Sequence, residues 1–258
     1  MNRILRSVSA CLLVAPLSLL AETSIYSQRV GADTFVSSGQ PNANFGTLGA
    51  MEIAGPTVAQ PRTEIALLRF DTTAMQASFN ADYGVGSWVV TGVTLSLFSN
   101  VAVAGQQPNN SSLNNIAAGG FELDLLGNNS WSETAITWNT LPTILPGSGN
   151  PNTLTPLGSF FWNAAGAANS IWTLNARQLL VDEINAGSEV TLLGQPTTGS
   201  AVGYLFNTLT SNPGYLNVTV EAVAEPSTVA LIAGFLCVTG CSRFCNRENL
   251  CSPSGIFG

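Results

Sequence analysis

Apolar and polar residues alternate in three stretches of the middle of the chain, at residues 93–97 (VTLSL), 121–125 (FELDL) and 216–221 (LNVTVE). Successive side chains of a strand point to opposite faces, so each stretch predicts a strand with one buried and one wet face. Residues 64–71 (EIALLRFD) are apolar on both faces apart from Arg69. This pattern predicts a strand in the centre of a sheet.

Turn-forming residues separate these strands. Gly, Pro and Asn are frequent in residues 39–44, 105–115, 139–156 and 195–203. Many short strands joined by such loops are typical of a β-sandwich or a jelly roll. We therefore expect an all-β fold, a jelly-roll β-sandwich with one short helix, over residues 22–224.

The short helix is predicted after Asn175. Asn175 can cap its first turn, and Gln178, three residues later, completes a capping box. The apolar side of this helix consists of Leu179, Leu180 and Ile184. Gly187 is a suitable residue to end it.

Charge is scarce and mostly negative. Of 258 residues, 9% are charged, and the net charge is −7. The basic residues are all arginine, and there is no histidine. Without a basic patch, nucleic-acid binding is excluded as a main function. Without histidine, Ser-His-Asp and Cys-His catalysis and histidine zinc sites are excluded too.

Cysteine is confined to the two ends of the chain. The five residues are Cys11, Cys237, Cys241, Cys245 and Cys251. The middle of the chain thus has no thiol nucleophile and no disulfide. The spacing in the tail contains no CxxC, so we expect no zinc site there.

Residues 1–21 have the three parts of a secretory signal peptide. Arg3 and Arg6 precede an apolar run at residues 8–20, and Ala21 is a small residue at the end. We expect signal peptidase to cleave after Ala21, so that the protein is exported.

A second apolar run lies near the other end. Residues 228–242 (TVALIAGFLCVTGCS) follow Glu225, Pro226 and Ser227, and Arg243 and Arg247 come after the run. The run is slightly shorter than the ~20 residues that span a bilayer as a helix. It predicts a C-terminal transmembrane helix, with the arginines on the cytoplasmic side.

This tail resembles the PEP-CTERM sorting signal of exported bacterial proteins, with Ala224 in place of the first proline. We assign residues 225–247 to the sorting signal with its transmembrane helix, and residues 248–258 to a short tail after the signal. The resemblance implies processing by an exosortase, and a location at the cell surface or outside the cell. Such signals go with bacteria that make exopolysaccharide and biofilm.

Residues 131–139 (WSETAITWN) hold two tryptophans, and residues 136–138 predict a short strand. Large aromatic side chains this close together are typical of a core anchor, since each buries roughly 150–250 Å². The other interpretation is that Trp131 or Trp138 is exposed as a stacking platform for a sugar. We keep both as candidate ligand-binding residues.

Several short motifs follow one another over most of the middle of the chain. They are residues 32–36 (ADTFV), 42–46 (NANFG), Arg62, 67–71 (LLRFD), 93–97, 131–139 with Pro142, 206–207 (FN) and 213–216 (PGYL). This order resembles the DNRLRE-type domain, a jelly-roll family related to carbohydrate-binding modules. The resemblance implies polysaccharide or matrix components as partners.

Arg69, inside an apolar strand, should pair with a carboxylate, and Glu133, Asp33 and Asp71 are the candidates in matching segments. The pair either fixes the fold or lies near a ligand or a calcium ion. Jelly-roll carbohydrate modules often hold structural calcium through carboxylate and carbonyl oxygens. We predict no other cofactor.

Three functions fit these observations. The first is a non-catalytic exported protein that binds polysaccharide, and the second is a structural matrix or adhesion protein without a small ligand. The third, a polysaccharide-cleaving enzyme, needs two carboxylates about 5–10 Å apart. Glu122 and Asp124 lie on one face of a predicted strand and are the candidates for that role. Further candidates for an exposed aromatic platform are Trp88, Trp162, Trp172 and Tyr204.

Overall fold

Two antiparallel β-sheets make up the fold. The structure, a computed structural model, describes residues 22–99, 116–147, 151–164, 169–210 and 212–223. The smaller sheet has the spatial order β1 (Thr23–Arg29), β11 (Tyr215–Ala222), β5 (Trp88–Phe98) and β8 (Asn169–Leu174). The larger sheet has the order β10 (Gly203–Asn207), β3 (Ala50–Ala54), β4 (Glu64–Asp71), β9 (Glu189–Pro196), β6 (Gly119–Leu126) and β7 (Leu154–Trp162). A further strand, β2 (Ala32–Ser37), pairs with β4.

The three strands predicted from alternating apolar and polar residues are confirmed. Leu95, Phe121 and Leu216 are fully buried in the main core, which lies between the two sheets. The strand over residues 64–71 is central as predicted, because β2 pairs along one side of it and β9 along the other. The expectation of a β-sandwich is confirmed in this form, while its jelly-roll connectivity stays a prediction.

The expectation of one helix is wrong, because the described residues contain two α-helices. The first, α1 (Thr73–Tyr83), buries Met75 and Phe79 against the core. These apolar residues lie four positions apart, the spacing of one helix face, but two residues are a weak signal in the sequence.

The second helix, α2 (Gln178–Ala186), is close to the predicted one, but the capping box is absent. The helix begins after Arg177, and no side chain caps it. Leu180 and Ile184 are buried as predicted, whereas Leu179 is exposed. Gly187 ends the helix in the left-handed conformation that favours glycine.

A second apolar cluster lies on the outer face of the larger sheet. Along β4, Ala66 and Leu68 belong to the main core, whereas Ile65 and Leu67 belong to this second cluster. Alternate residues of a strand point to opposite faces, so the two clusters lie on opposite sides of the sheet. Residues 128–147, called the covering segment from here on, pack over this outer face.

The covering segment supplies four buried side chains, Trp131, Ile136, Leu141 and Ile144. It consists of turns and one 3-10 helix, Leu141–Thr143. The predicted strand at residues 136–138 is therefore wrong. Ile136 there buries its side chain against a sheet without joining its hydrogen-bond ladder.

The two terminal predictions lie outside the described residues. These are the signal peptide with Ala21, and the sorting signal with Glu225, Pro226, Ser227, Arg243 and Arg247. Within the described part of the chain, we find no helix that is long and apolar enough to cross a membrane. Residues Thr23–Ala222 form one compact unit.

Candidate functional site

Trp131 anchors the covering segment to the larger sheet. Its side chain is 5% exposed, and its indole N–H donates to the hydroxyl of Thr191 on β9 at 3.0 Å. The guanidinium of Arg69 lies 5.0 Å from the ring centroid, a cation–π contact. This burial leaves Trp131 no free ring face on which a sugar could stack.

Arg69 holds the covering segment through its backbone. Its guanidinium donates to the carbonyls of Asn129 at 2.8 Å and Trp131 at 3.1 Å. Its carboxylate partner is Glu189, at 3.5 Å. The pairing predicted with Glu133, Asp33 or Asp71 is wrong, because β9 places Glu189 next to β4 and the sequence pattern gives no strand order.

The loop between β2 and β3 also holds the covering segment, through hydrogen bonds to its backbone. The side-chain amide of Asn44 donates to the carbonyls of Glu133 and Ile136, both at 2.8 Å. Gly46 lies so close that an added Cβ would be 2.1 Å from the Glu133 carbonyl oxygen. A glycine is therefore required where the two backbones meet.

The other aromatic candidates are mostly in the core. Trp162 is 3% exposed and stacks on the fully buried Tyr204 at 4.4 Å, so neither is an exposed platform. Burial raises the pKa of the Tyr204 hydroxyl to about 12. Trp88 and Trp172 are partly buried against the main core, and Trp138 is partly buried against the outer cluster.

Phe161, on the edge strand β7, is an exposed aromatic side chain on the outer face. Its side chain is 66% exposed. Its partner on β6 is Gly120, which has no side chain to lie beside the ring. Two residues further along β6, on the same face of the sheet, Glu122 pairs with Ser159 of β7 and with Gln195 of β9. We call Gly120, Glu122, Ser159, Phe161 and Gln195 the open patch.

The open patch has a buried carboxylate next to it on the same face of β6. Asp124 is 3% exposed and accepts a hydrogen bond from the Gln195 amide at 3.0 Å. Burial raises its pKa, the Gln195 amide opposes that rise, and the charge of Glu122 adds to it. This contact orients the Gln195 side chain at the surface.

Glu122 and Asp124 share one face of β6, but their environments differ. Glu122 is half-buried within the open patch, whereas Asp124, two residues further along the same face, is buried. A glycosidase needs both carboxyl groups next to the bound sugar. The burial of Asp124 argues against that use of the pair, and the geometry favours binding.

The chemistry of the open patch suits a sugar ring. Phe161 offers an apolar ring face, and Glu122, Ser159 and Gln195 offer acceptors and donors for hydroxyl groups. The sequence could have indicated Phe161, because residues 160–162 (FFW) are three aromatics in a row. Successive side chains of a strand point to opposite faces, so if Phe160 and Trp162 face the core, Phe161 between them must face outward.

Two further polar clusters lie at the ends of the larger sheet. In one, Arg62 bridges the buried carboxylate of Glu64 at 2.7 Å and that of Glu52 at 3.8 Å. In the other, Asp33 faces Glu133. Burial raises the pKa of Asp33 to about 7, the N–H of Leu209 opposes the rise, and the Glu133 charge adds to it. No group of three or more acidic, cysteine or histidine side chains suited to a metal ion exists in the described residues.

Comparison with protein families gives a match over most of the chain. The model of carbohydrate-binding module family 96 matches residues 24–208, which include the covering segment and the open patch. A comparison with curated proteins found no match. The family match agrees with the resemblance to a carbohydrate-binding-module-like domain and with a module that binds and does not itself catalyse. The chain belongs to carbohydrate-binding module family 96.

Proposed function

We propose that the protein is a non-catalytic, exported polysaccharide-binding protein, and that its open patch contacts the glycan. The family match supports carbohydrate binding, and the geometry of the outer face supports this location. The observation that carries the location is the Phe161 ring, 66% exposed, beside a glycine and a row of hydrogen-bonding side chains.

A neutral polysaccharide fits the open patch best. The half-buried Glu122 and the buried Asp124 beside it on the same face give this part of the sheet a negative field. The four arginines at residues 29, 62, 69 and 177 stand against thirteen acids in residues 22–224. A strongly anionic glycan would be repelled by this field.

The direct test is a binding titration of the full chain and its Phe161→Ala variant against a panel of neutral and uronic-acid polysaccharides. We expect saturable binding to a neutral class, weakened at least about tenfold in Phe161→Ala, as for a central aromatic contact. Ile171→Ala is the matched control. Ile171 is 61% exposed, but it lies on the edge strand of the smaller sheet.

Equal affinity of Phe161→Ala and the unaltered chain would contradict this location. If a folded chain bound no glycan in the panel and self-associated instead, the result would favour a structural matrix or adhesion protein.

We also propose that the ends of the chain direct export. Signal peptidase would remove residues 1–21, and an exosortase would recognise residues 225–247 as a membrane-inserted signal. The mature protein would then remain at the cell surface or be released. Mass spectrometry of the chain from an exosortase-containing bacterium should give a mature N-terminus at Glu22 and a C-terminus upstream of the apolar run. Intact termini would contradict this route.

A further inference from the structure

Asp33 and Glu133 bring two carboxyl groups together where the covering segment meets the start of β2. Asp33 is 1% exposed, and one of its oxygens, Oδ2, accepts a hydrogen bond from the Leu209 N–H at 2.6 Å. The Asp33 N–H donates to Oε1 of Glu133 at 3.4 Å. The half-buried Glu133 carboxyl group therefore lies against the buried aspartate, within hydrogen-bonding reach of its side chain.

The second oxygen of Asp33, Oδ1, has no donor. It is buried and accepts no hydrogen bond from any residue in the described part of the chain. A buried acceptor without a partner is unfavourable, and a second carboxylate beside it adds repulsion. Two ionised carboxylates both accept and neither donates, so they cannot satisfy each other. A proton on one of them supplies the missing donor and removes the repulsion.

Two arginines on strands close to Asp33 are bonded elsewhere. The guanidinium of Arg29 acts on Asp33 through its charge, but it donates to the Leu209 carbonyl at 2.6 Å. Arg69 follows the residue of β4 that pairs with Asp33, so its side chain points to the opposite face, where it meets Glu189. Neither arginine forms an ion pair with the two carboxyl groups among the described residues.

The loops around the pair bring no further charge. Residues 38–49 contact Glu133, and residues 203–210 supply the Leu209 N–H. Neither stretch contains an acidic or a basic residue. The proton is therefore the remaining way to neutralise the pair with groups that the described chain offers.

The protonation of Asp33 changes near neutral pH. Burial raises its pKa to about 7, and the Glu133 charge and the hydrogen bond between the two side chains add to the rise. The Leu209 N–H and the Arg29 charge oppose it. Asp33 thus differs from an ordinary aspartate, whose pKa is about 3.9.

The backbone holds Glu133 in place whatever the charge of its side chain. The Asn44 amide donates to the Glu133 carbonyl at 2.8 Å, and Gly46 packs against the same carbonyl. The Glu133 side chain is therefore restrained beside Asp33. Repulsion between two ionised carboxylates acts directly on the contact between the covering segment and β2.

We propose that Asp33 and Glu133 share a proton and form a pH-sensitive latch between β2 and the covering segment. In the closed latch, the protonated Asp33 donates through Oδ1 to the Glu133 carboxylate, while Oδ2 keeps the Leu209 N–H. When the proton leaves to solvent, this bond is lost and the two carboxylates repel each other. The covering segment is held firmly in mildly acidic surroundings and loosened in alkaline ones.

The direction of the pH effect follows from the raised pKa. The stabilisation is full below the ordinary aspartate pKa of about 3.9 and is lost as the pH rises through about 7. From about pH 5 to about pH 8.5, this single group should raise the unfolding equilibrium constant on the order of 10- to 100-fold.

The test is urea denaturation of the full chain, Asp33→Asn and Glu133→Gln at about pH 5 and about pH 8.5. Each amide keeps the shape of the carboxyl group and supplies a donor that does not titrate. Both variants should lose most of the pH dependence. At about pH 8.5, the unfolding equilibrium constant of Asp33→Asn should be at least about tenfold lower than that of the unaltered chain. A contact that only supports the fold would not give this gain in stability.

Asp82→Asn is the control, since Asp82 is an exposed carboxylate bonded to Tyr26 on the smaller sheet. It should follow the unaltered chain at both pH values. Nuclear magnetic resonance of the carboxyl carbons reads the proton itself, because the Asp33 signal is the one missing in Asp33→Asn. Its midpoint should lie near pH 7 and move to lower pH in Glu133→Gln.

If Asp33→Asn does not fold, Glu133→Gln, altered at a half-buried position, decides the outcome alone. A titration midpoint of Asp33 near the ordinary aspartate pKa would overturn the proposal. Equal pH dependence of stability in folded Glu133→Gln and in the unaltered chain would overturn it as well.

Discussion

The outer face of the larger sheet has two halves that use aromatic side chains in opposite ways. In the covered half, Trp131 is 5% exposed and hydrogen-bonded to Thr191. In the open half, Phe161 is 66% exposed and lies opposite Gly120. The tryptophan that stands out in the sequence is thus buried, whereas Phe161 on an edge strand is exposed and is the contact that we propose for the glycan.

The difference follows from what lies above each half. The covering segment shields the covered half, with Arg69 and Asn44 bonding its backbone carbonyls. In the open patch, Ser159 is exposed and Glu122 and Gln195 are half-buried, so these polar side chains remain accessible. We therefore expect substitutions in the covered half to change stability, and those in the open half to change binding.

The largest effect is expected for Trp131→Ala. It removes a large buried ring, the hydrogen bond of the indole to the Thr191 hydroxyl and the cation–π contact with Arg69. We expect the free energy of unfolding to fall by about 3–5 kcal/mol, as measured by urea denaturation. The comparison variant Phe161→Ala should change it by no more than about 0.5 kcal/mol. Similar losses in both variants would remove the distinction between the halves.

A smaller loss is expected for Gly46→Ala. The added methyl would lie 2.1 Å from the Glu133 carbonyl oxygen, and backbone on both sides must shift. We expect destabilisation of about 1–3 kcal/mol by the same measurement. Gly147→Ala is the control, because nothing lies within 4 Å of its added methyl. Equal stability of the two variants would show that the clamp does not restrain the covering segment.

Arg69→Gln should have an effect of about 1–3 kcal/mol, since it removes the charged donor of two carbonyl bonds and a cation–π contact. Glycan affinity per folded molecule should remain unchanged. Isothermal titration and urea denaturation of the same sample separate the two quantities. A loss of affinity with unchanged stability would place Arg69 in the binding site instead.

The smallest effect concerns pH. Because burial raises the pKa of Asp124, the Asp124 carboxyl group stays protonated to a higher pH in the folded chain than in the unfolded chain. Its contribution to stability is full below the ordinary aspartate pKa of about 3.9 and is lost as the pH rises through the folded-state pKa. The difference in unfolding free energy between the unaltered chain and Asp124→Asn should fall over this interval. A difference that is constant with pH would contradict the raised pKa.

The regular part of the fold can be predicted from the sequence, because period-two patterns report directly on burial. The strands at residues 121–125 and 216–221 are predicted correctly for this reason. The pattern of residues 136–138 is misleading, since β-favouring side chains pack as well onto a sheet as within one. Which carboxylate meets Arg69 depends on strand order, and Glu189 is distant from it in sequence.

The candidate site is harder to predict than the fold. Trp131 and Trp138 are the natural candidates, because tryptophan is rare and large, but ring size favours burial as much as binding. Phe161 is not part of a recognisable motif. Its exposure follows from the alternation of residues 160–162 once it is known which face of β7 packs against the core. Gly120 and Gln195 join it only through strand pairing.

The most direct measurement is nuclear magnetic resonance of the ¹⁵N-labelled chain during titration with the glycan that it binds. We expect the backbone signals of Gly120, Phe161 and Gln195 to shift in proportion to occupancy. The indole N–H signals of Trp131 and Trp138 should stay in place. Shifts at the two indoles, with the open patch unchanged, would contradict the division of the outer face into a structural half and a binding half.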